Sequence, residues 1–393
     1  MRMDCNVYLL EGVHFQTGKP ISLTVKNETI LDIQPIKENK SLPMIGAGLV
    51  DLQINGYGGM DFNTLPYPND DIIQKVTRAL WKEGVTTYLP TVITNSTEKI
   101  SDAMRSIARA CARSYVVGEG VAGVHLEGPF ISPEDGPRGA HDKKHIQPPN
   151  WELFQRWQDA AEGKIKMITL SPEWPEAISF IQKCVENGVT VSIGHTAATP
   201  EQIREAVTAG ARMSTHLGNG THLMLPRHPN YLWEQIAHDD MWASIIADGF
   251  HLSEAFMKTV LRVKGDKTIL VSDAVYLSGM PPGDYDTHIG KKVVLTPRGK
   301  LHLAENTKLL AGSVQLLKDG VHYLVISGLA SLAQAWEMAS IRPSQFLNIP
   351  PKQGIKPGAP ADIVIFNWND DGFDILQTYK NGELVYNKKE YRK

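Results

Sequence analysis

The chain has 393 residues, 42% of them apolar and 21% charged, with a formal net charge of −3, the composition of an ordinary globular protein with room for one large domain and a small companion. No Lys/Arg-rich run is present, so neither nucleic acid nor an anionic membrane surface is expected as a partner. The first six residues lack the apolar core of a signal peptide, no stretch approaches the roughly 20 apolar residues of a membrane span, and Cys5, Cys111 and Cys184 form no spaced pair, which together predict a cytoplasmic protein.

Residues 1–48 read as β-structure. Segments 7–10 and 21–25 are strand-like around a Thr17-Gly18-Lys19 turn, and 29–33 is a third strand. From residue 49 the pattern changes to eight short apolar runs, at 50–55, 85–91, 121–127, 167–172, 190–195, 213–216, 243–248 and 269–273. Most are followed by an amphipathic stretch. Segments 70–83, 97–113 and 313–340 have helical spacing, and Thr199-Pro200-Glu201-Gln202 is a capped helix start. Strands alternating with helices eight times predict a (β/α)8 barrel over 49–345. The β character returns at 361–366 and 378–386, where Asn381-Gly382 signals a hairpin. The two ends, 1–48 plus 346–393, are expected to pair into one small β-sandwich domain.

In such barrels, polar residues at the C-terminal ends of strands build the active site. Here Gln53 and Asn55 end the first run, Glu127 the third, His195 the fifth, His216 the sixth and Asp273 the eighth, while His251 follows the seventh. Two imidazoles and a carboxylate, His195, His216 and Glu127, form a familiar donor set for Zn2+ or a similar divalent ion with a position left for water. Asp273 would bind that metal, or move a proton between its water and a leaving group. Strand alternation points His125 the same way as Glu127, as an interior residue. The loop Gly136-Pro137-Arg138-Gly139-Ala140-His141 can carry Ala140 and His141 over the site. Arg227 and His251 are the natural anion contacts. The small residues of Gly218-Asn219-Gly220 would let backbone amides approach a substrate, and Leu310-Ala311-Gly312-Ser313 would do the same ahead of a helix whose N-terminus favours anions.

His125-Leu126-Glu127-Gly128-Pro129-Phe130, Gly194-His195-Thr196, Thr215-His216-Leu217, Asp248-Gly249-Phe250-His251, Ser272-Asp273-Ala274 and Leu310-Ala311-Gly312-Ser313 occur in order after Asp51-Leu52-Gln53-Ile54-Asn55-Gly56. Together they resemble the N-acetylglucosamine-6-phosphate deacetylases of the amidohydrolase superfamily, over almost the whole chain, including 354–366. The resemblance implies removal of an acetyl group from an amino sugar phosphate. Glu127, His195 and His216 would bind the metal, and Asp273 would be the acid/base. His141 would meet the acetyl carbonyl or sugar, and Asn219, Arg227 and His251 would hold the phosphate. It also implies a homodimer, with Arg227 or a neighbour reaching across. Many amidohydrolases hold a second metal with His-x-His on the first strand. This chain has Gln53-Ile54-Asn55 there, as some of these deacetylases do, and amides bind Zn2+ poorly, so one ion is expected. After His216 the family usually shows an aromatic residue and Asn-Ala-Met, whereas here the chain reads Gly218-Asn219-Gly220-Thr221. That altered 218–228 loop leaves two other readings: a different N-acyl or cyclic amide substrate, or a non-catalytic relative that binds through the mouth.

Overall fold

The eight runs become eight strands of one parallel sheet, arranged in sequence order: Leu49–Ile54, Val85–Ile93, Val124–Glu127, Ile165–Leu170, Thr190–Ile193, Met213–Ser214, Trp242–Ile245 and Thr268–Leu270. These come from a computed structural model describing residues 7–39, 41–65, 70–287 and 292–390. Cys5 lies outside them, and Cys111 and Cys184 are free thiols. The first and last strands meet just beyond the eighth, where the Asp273 amide donates to Gln53 O at 2.9 Å and the Asn55 amide to Ala274 O at 2.8 Å. The sheet therefore closes into the predicted barrel. Val50, Leu52, Met167, Met213, Ile269 and Val271 belong to a cluster separate from the larger core around the barrel. Leu126 packs in that larger core, whereas its neighbour His125 bonds Thr169 Oγ1 of the next strand at 2.8 Å, as alternation requires.

The helices Asp70–Lys82 and Thr97–Arg113 lie where their spacing predicts. Helix Pro200–Ala209 has the capping box, with Gln202 N donating to Thr199 Oγ1 and Thr199 N to Gln202 Oε1. The 313–340 stretch is not one helix. It divides into Leu317–Ile326 and Leu332–Met338, interrupted at Gly328 with φ 68°. The first of these starts four residues beyond Ser313, and its own Asp319 carboxylate takes the Leu316 amide at 2.9 Å. The anion-favouring helix start expected behind Leu310-Ala311-Gly312-Ser313 is thus already served by this carboxylate.

Both chain ends come together as expected. Among the described residues they form one hydrogen-bonded seven-stranded sheet, ordered Glu383–Asn387, Gly372–Lys380, Ile363–Asn369, Met44–Ala47, Val7–His14, Pro20–Lys26, Thr29–Pro35. Asn381 and Gly382, with φ of 46° and 74°, make the predicted hairpin. Met44–Ala47, unforeseen in the sequence, joins the two ends: it pairs parallel with Val7–His14 and antiparallel with Ile363–Asn369. Trp336 locks this seam to the barrel layer by stacking on Phe366 at 4.3 Å and donating to Ala47 O at 2.8 Å. Any side chain on Gly46 would enter the Trp336 ring.

A second feature escaped the sequence reading. Between the eighth barrel strand and helix Leu317–Ile326, strands Gly283–Asp286, Lys292–Leu295, Leu301–Leu303 and Asn306–Leu310 form a small antiparallel sheet. Val293, Leu295 and Leu301 give it a core of its own with Leu277.

Candidate active site

His195, His216 and Asp273 each sit just past a barrel strand with positive φ, at 50°, 29° and 46°. Few non-glycine residues adopt this region, and those that do cluster at sites where the surrounding structure dictates the backbone. Here the left-handed turns bring the three side chains into one mouth with Glu127 from the third strand.

Glu127 Oε1 lies 3.0 Å from His216 Nε2 and 3.3 Å from His195 Nε2, and the two nitrogens are 3.1 Å apart. Gln53 Nε2 donates to the same carboxylate oxygen at 2.8 Å. His195 faces Pro137 O through Nδ1 at 2.8 Å, which fixes the proton there and turns a lone pair on Nε2 toward Glu127. Two lone pairs facing at this distance repel unless a cation lies between them. Burial opposes charge on Glu127 and His216. Even so, the two imidazoles hold the carboxyl well below its ordinary value, and Glu127 raises His216 above its own. The donor set, all buried, fits a divalent ion.

His141 comes closer than the sequence suggested. Its ligand-capable nitrogen, one from His195 and a Glu127 oxygen all lie within 4.8 Å of one another. Its ring stands edge-on to His195, 4.4 Å between centroids, and Nδ1 is 2.8 Å from Thr94 Oγ1. Burial, reinforced by His195, pushes its pKa down to about 3, so it is neutral. Gly139 and Gly220 pack against the His195 ring, and a side chain on Gly220 would come within 2.7 Å of Nδ1.

Asp273 Oδ1 accepts from Asn55 Nδ2 at 2.8 Å. Burial and then the Glu127 charge push its pKa up to about 6. Gln53 and Asn55 therefore act through their amide N–H groups, one on Glu127 and the other on Asp273. His251 engages Asp248 Oδ2 through Nδ1 at 2.6 Å, while Asp248 Oδ1 takes the amides of Phe250 and His251. That leaves the Nε2 edge of His251 free.

A cavity of about 560 Å³ opens above these groups. The sequence-predicted Ala140, His141, Asn219, Gly220, His251, Leu310, Ala311 and Gly312 all line it beside Glu127, His195, His216 and Asp273. Arg227 does not: it sits on the exposed part of the 218–228 loop, outside the lining. His222 anchors that loop by contacts to Glu134 Oε2 at 2.9 Å and the Tyr231 hydroxyl at 3.0 Å. Lining residues the sequence reading missed include Asp61 and Asn63, soon after the first strand, and Tyr276, Lys300 and Lys308 in and before the inserted sheet. Only the short hairpin pattern around residue 299 could have flagged the lysines.

Residues 44–385 match the Amidohydrolase family. The chain belongs to the amidohydrolase family. An N-acetylglucosamine-6-phosphate deacetylase of Lysinibacillus sphaericus is 33% identical over 86% of this chain and 84% of its own. An N-acetylgalactosamine-6-phosphate deacetylase of Shewanella sp. (strain ANA-3) is 32% identical over 88% and 84%. The structure of a mutant N-acetyl-D-glucosamine-6-phosphate deacetylase of Mycobacterium smegmatis, in complex with N-acetyl-D-glucosamine-6-phosphate, superposes with a TM-score of 0.85 at 25% identity, over 97% of this chain and 99% of that one. The amidohydrolase is thus a metal-dependent hydrolase, and the resemblance read from its motifs holds at the level of whole sequence and fold. Among its described residues, no helix is long and apolar enough to cross a membrane.

Proposed function

We propose that the amidohydrolase removes the N-acetyl group from an amino sugar phosphate, N-acetylglucosamine 6-phosphate in the first place, giving glucosamine 6-phosphate and acetate. The observation that carries this reading is the convergence of Glu127, His195 and His216 beside the buried carboxyl of Asp273, under a cavity of sugar-phosphate size. Those three residues would hold one divalent ion, Zn2+ by its donor set. When bound, such an ion polarises a carbonyl and lowers the pKa of water to about 7.

Asp273, oriented by Asn55, takes the proton of the attacking water and returns it to the amide nitrogen, because an amine anion cannot leave unprotonated. His141, held by Thr94, presents its other nitrogen to the acetyl carbonyl or the sugar. Ala140, Gly220 and the Leu310-Ala311-Gly312 segment bring backbone groups to the sugar, and Asn219 and His251 meet the phosphate. Arg227 joins them from a second copy in a homodimer. Leu223 and Met224, four and three residues before it, are 92% and 88% exposed in the single chain, which supports a loop covered by a partner. Free thiols at Cys111 and Cys184 support a cytoplasmic setting.

The test is acetate release by zinc-loaded protein from N-acetylglucosamine 6-phosphate, its galacto epimer and unphosphorylated N-acetylglucosamine, before and after chelation. Turnover that favours a phosphorylated sugar and disappears with the metal supports the reading. No acetate from any of the three sinks it and turns attention to another amide.

A further inference from the structure

The amide end of a sugar phosphate goes to Asp273 and the ligand cluster, and Asn219 and His251 meet its doubly charged end without a permanent cation of this chain. Among the described lining residues, Asp61, Glu127 and Asp273 are carboxylates, and the permanent cations are Lys300 and Lys308. Both come from the inserted sheet. Lys300 follows the turn at Gly299, and its Nζ donates to Thr307 O at 2.8 Å, one residue before Lys308. Lys308 lies on strand Asn306–Leu310, and its side chain is exposed. Neither ammonium is paired with a carboxylate among the described residues. An exposed lysine more often simply faces solvent, but two at one rim of a cavity whose other charges are negative do not fit that account.

The strand carrying Lys308 is also fixed to the reacting end. It runs through Leu310, Ala311 and Gly312 to Ser313, which bridges Ala274, the residue after Asp273. Ala311 N donates to Leu301 O at 3.1 Å, so the edge bearing Lys300 is held to the same segment. The rim that holds the two ammonium groups is therefore built from the chain that lines the sugar.

We propose that Lys308, with Lys300 beside it, is a further contact that this chain supplies to the phosphate of its substrate, added to Asn219 and His251, and that it strengthens the preference for phosphorylated sugar. This rests on the deacetylase reading above. The pair serves a phosphate from within one subunit, where Arg227 requires a second.

The experiment compares zinc-loaded wild type, Lys308→Gln, Lys300→Gln/Lys308→Gln and Lys308→Arg. The readout is the ratio of kcat/KM for N-acetylglucosamine 6-phosphate over unphosphorylated N-acetylglucosamine. A lost charge-assisted hydrogen bond lowers that ratio roughly ten- to hundredfold, mostly through KM, and Lys308→Arg restores much of it. A merely structural role lowers both rates together, and a ratio within twofold of wild type overturns the proposal. Calorimetric binding of inorganic phosphate to the same proteins separates the two hypotheses. If wild type deacetylates neither sugar, the substrate reading fails; phosphate binding lost in the double variant then keeps the anion site, and binding that is absent or unchanged removes it.

Discussion

Asp273 is held by a constraint on its backbone and another on its side chain. Its left-handed φ of 46° aims the carboxylate into the mouth, and the Asn55 amide fixes one oxygen. If Asp273 carries the proton and binds no metal, as proposed, it can be neutralised without emptying the ligand cluster. Asp273→Asn is expected to keep its zinc, by elemental analysis, and to lose roughly 10²- to 10⁴-fold in turnover. Zinc lost with the activity would instead make Asp273 a ligand. Behind it Asp51 is wholly buried; its Oδ1 takes the amides of Ser272 and Gln53, and burial pushes its pKa up to about 7. The folded state therefore holds a proton that the unfolded state releases near pH 3.9. Stability from this group is present in acid, falls by up to about 1.4 kcal/mol per unit as the pH rises from about 4, and levels off above 7. Asp51→Asn should be free of that loss. Denaturation midpoints of the two proteins at pH 5 and pH 8 check it, and parallel shifts would count against it. That Glu127, His195, His216 and Asp273 meet in one mouth was readable because each ends an apolar run. The part played by Gln53 and Asn55 was not, because an amide's partner depends on which strand lies opposite after the barrel closes.

The elements that were read correctly have strong local periodicity: the eight strands, the helices at 70 and 97, and the Asn381-Gly382 hairpin. Those missed depend on distant partners. Met44–Ala47 is a four-residue strand whose meaning lies in joining strands from opposite ends of the chain, and the inserted sheet hides polar, short strands inside what reads as a βα connection. The 313–340 stretch divides between Ser327 and Ser331, around Gly328, and a helical pattern tolerates a lone glycine on paper. The seam around Met44–Ala47 rests on Trp336, fully buried on helix Leu332–Met338 and stacked on Phe366 of the sheet. Trp336→Ala should cost about 3–5 kcal/mol in chemical denaturation. A loss below about 1 kcal/mol would show that the sheet holds its place without it.

For the whole molecule, the barrel with its mouth at the strand ends was legible, while the lining of the cavity was legible only in part. Arg227 carries the right chemistry but stands outside the cavity of its own chain, and no single sequence discloses what a second copy brings. Sedimentation is expected to show a dimer. A monomer with full preference for phosphorylated sugar would remove Arg227 from the site and leave that work to residues of one chain.

The seven-stranded sheet also sets an order of events during synthesis. Its N-terminal strands leave the ribosome first, yet the second partner of Met44–Ala47, after Val7–His14, is Ile363–Asn369. Residues 48–362, about 315 of them, must be made in between, which at about 5–20 residues per second takes roughly a quarter of a minute to a minute. Throughout that interval an apolar strand edge containing Ile45 stands unpaired, the kind of edge that recruits other chains. The nascent amidohydrolase therefore carries this open strand edge until its last strands exist, and slowed translation of the barrel would lengthen that interval.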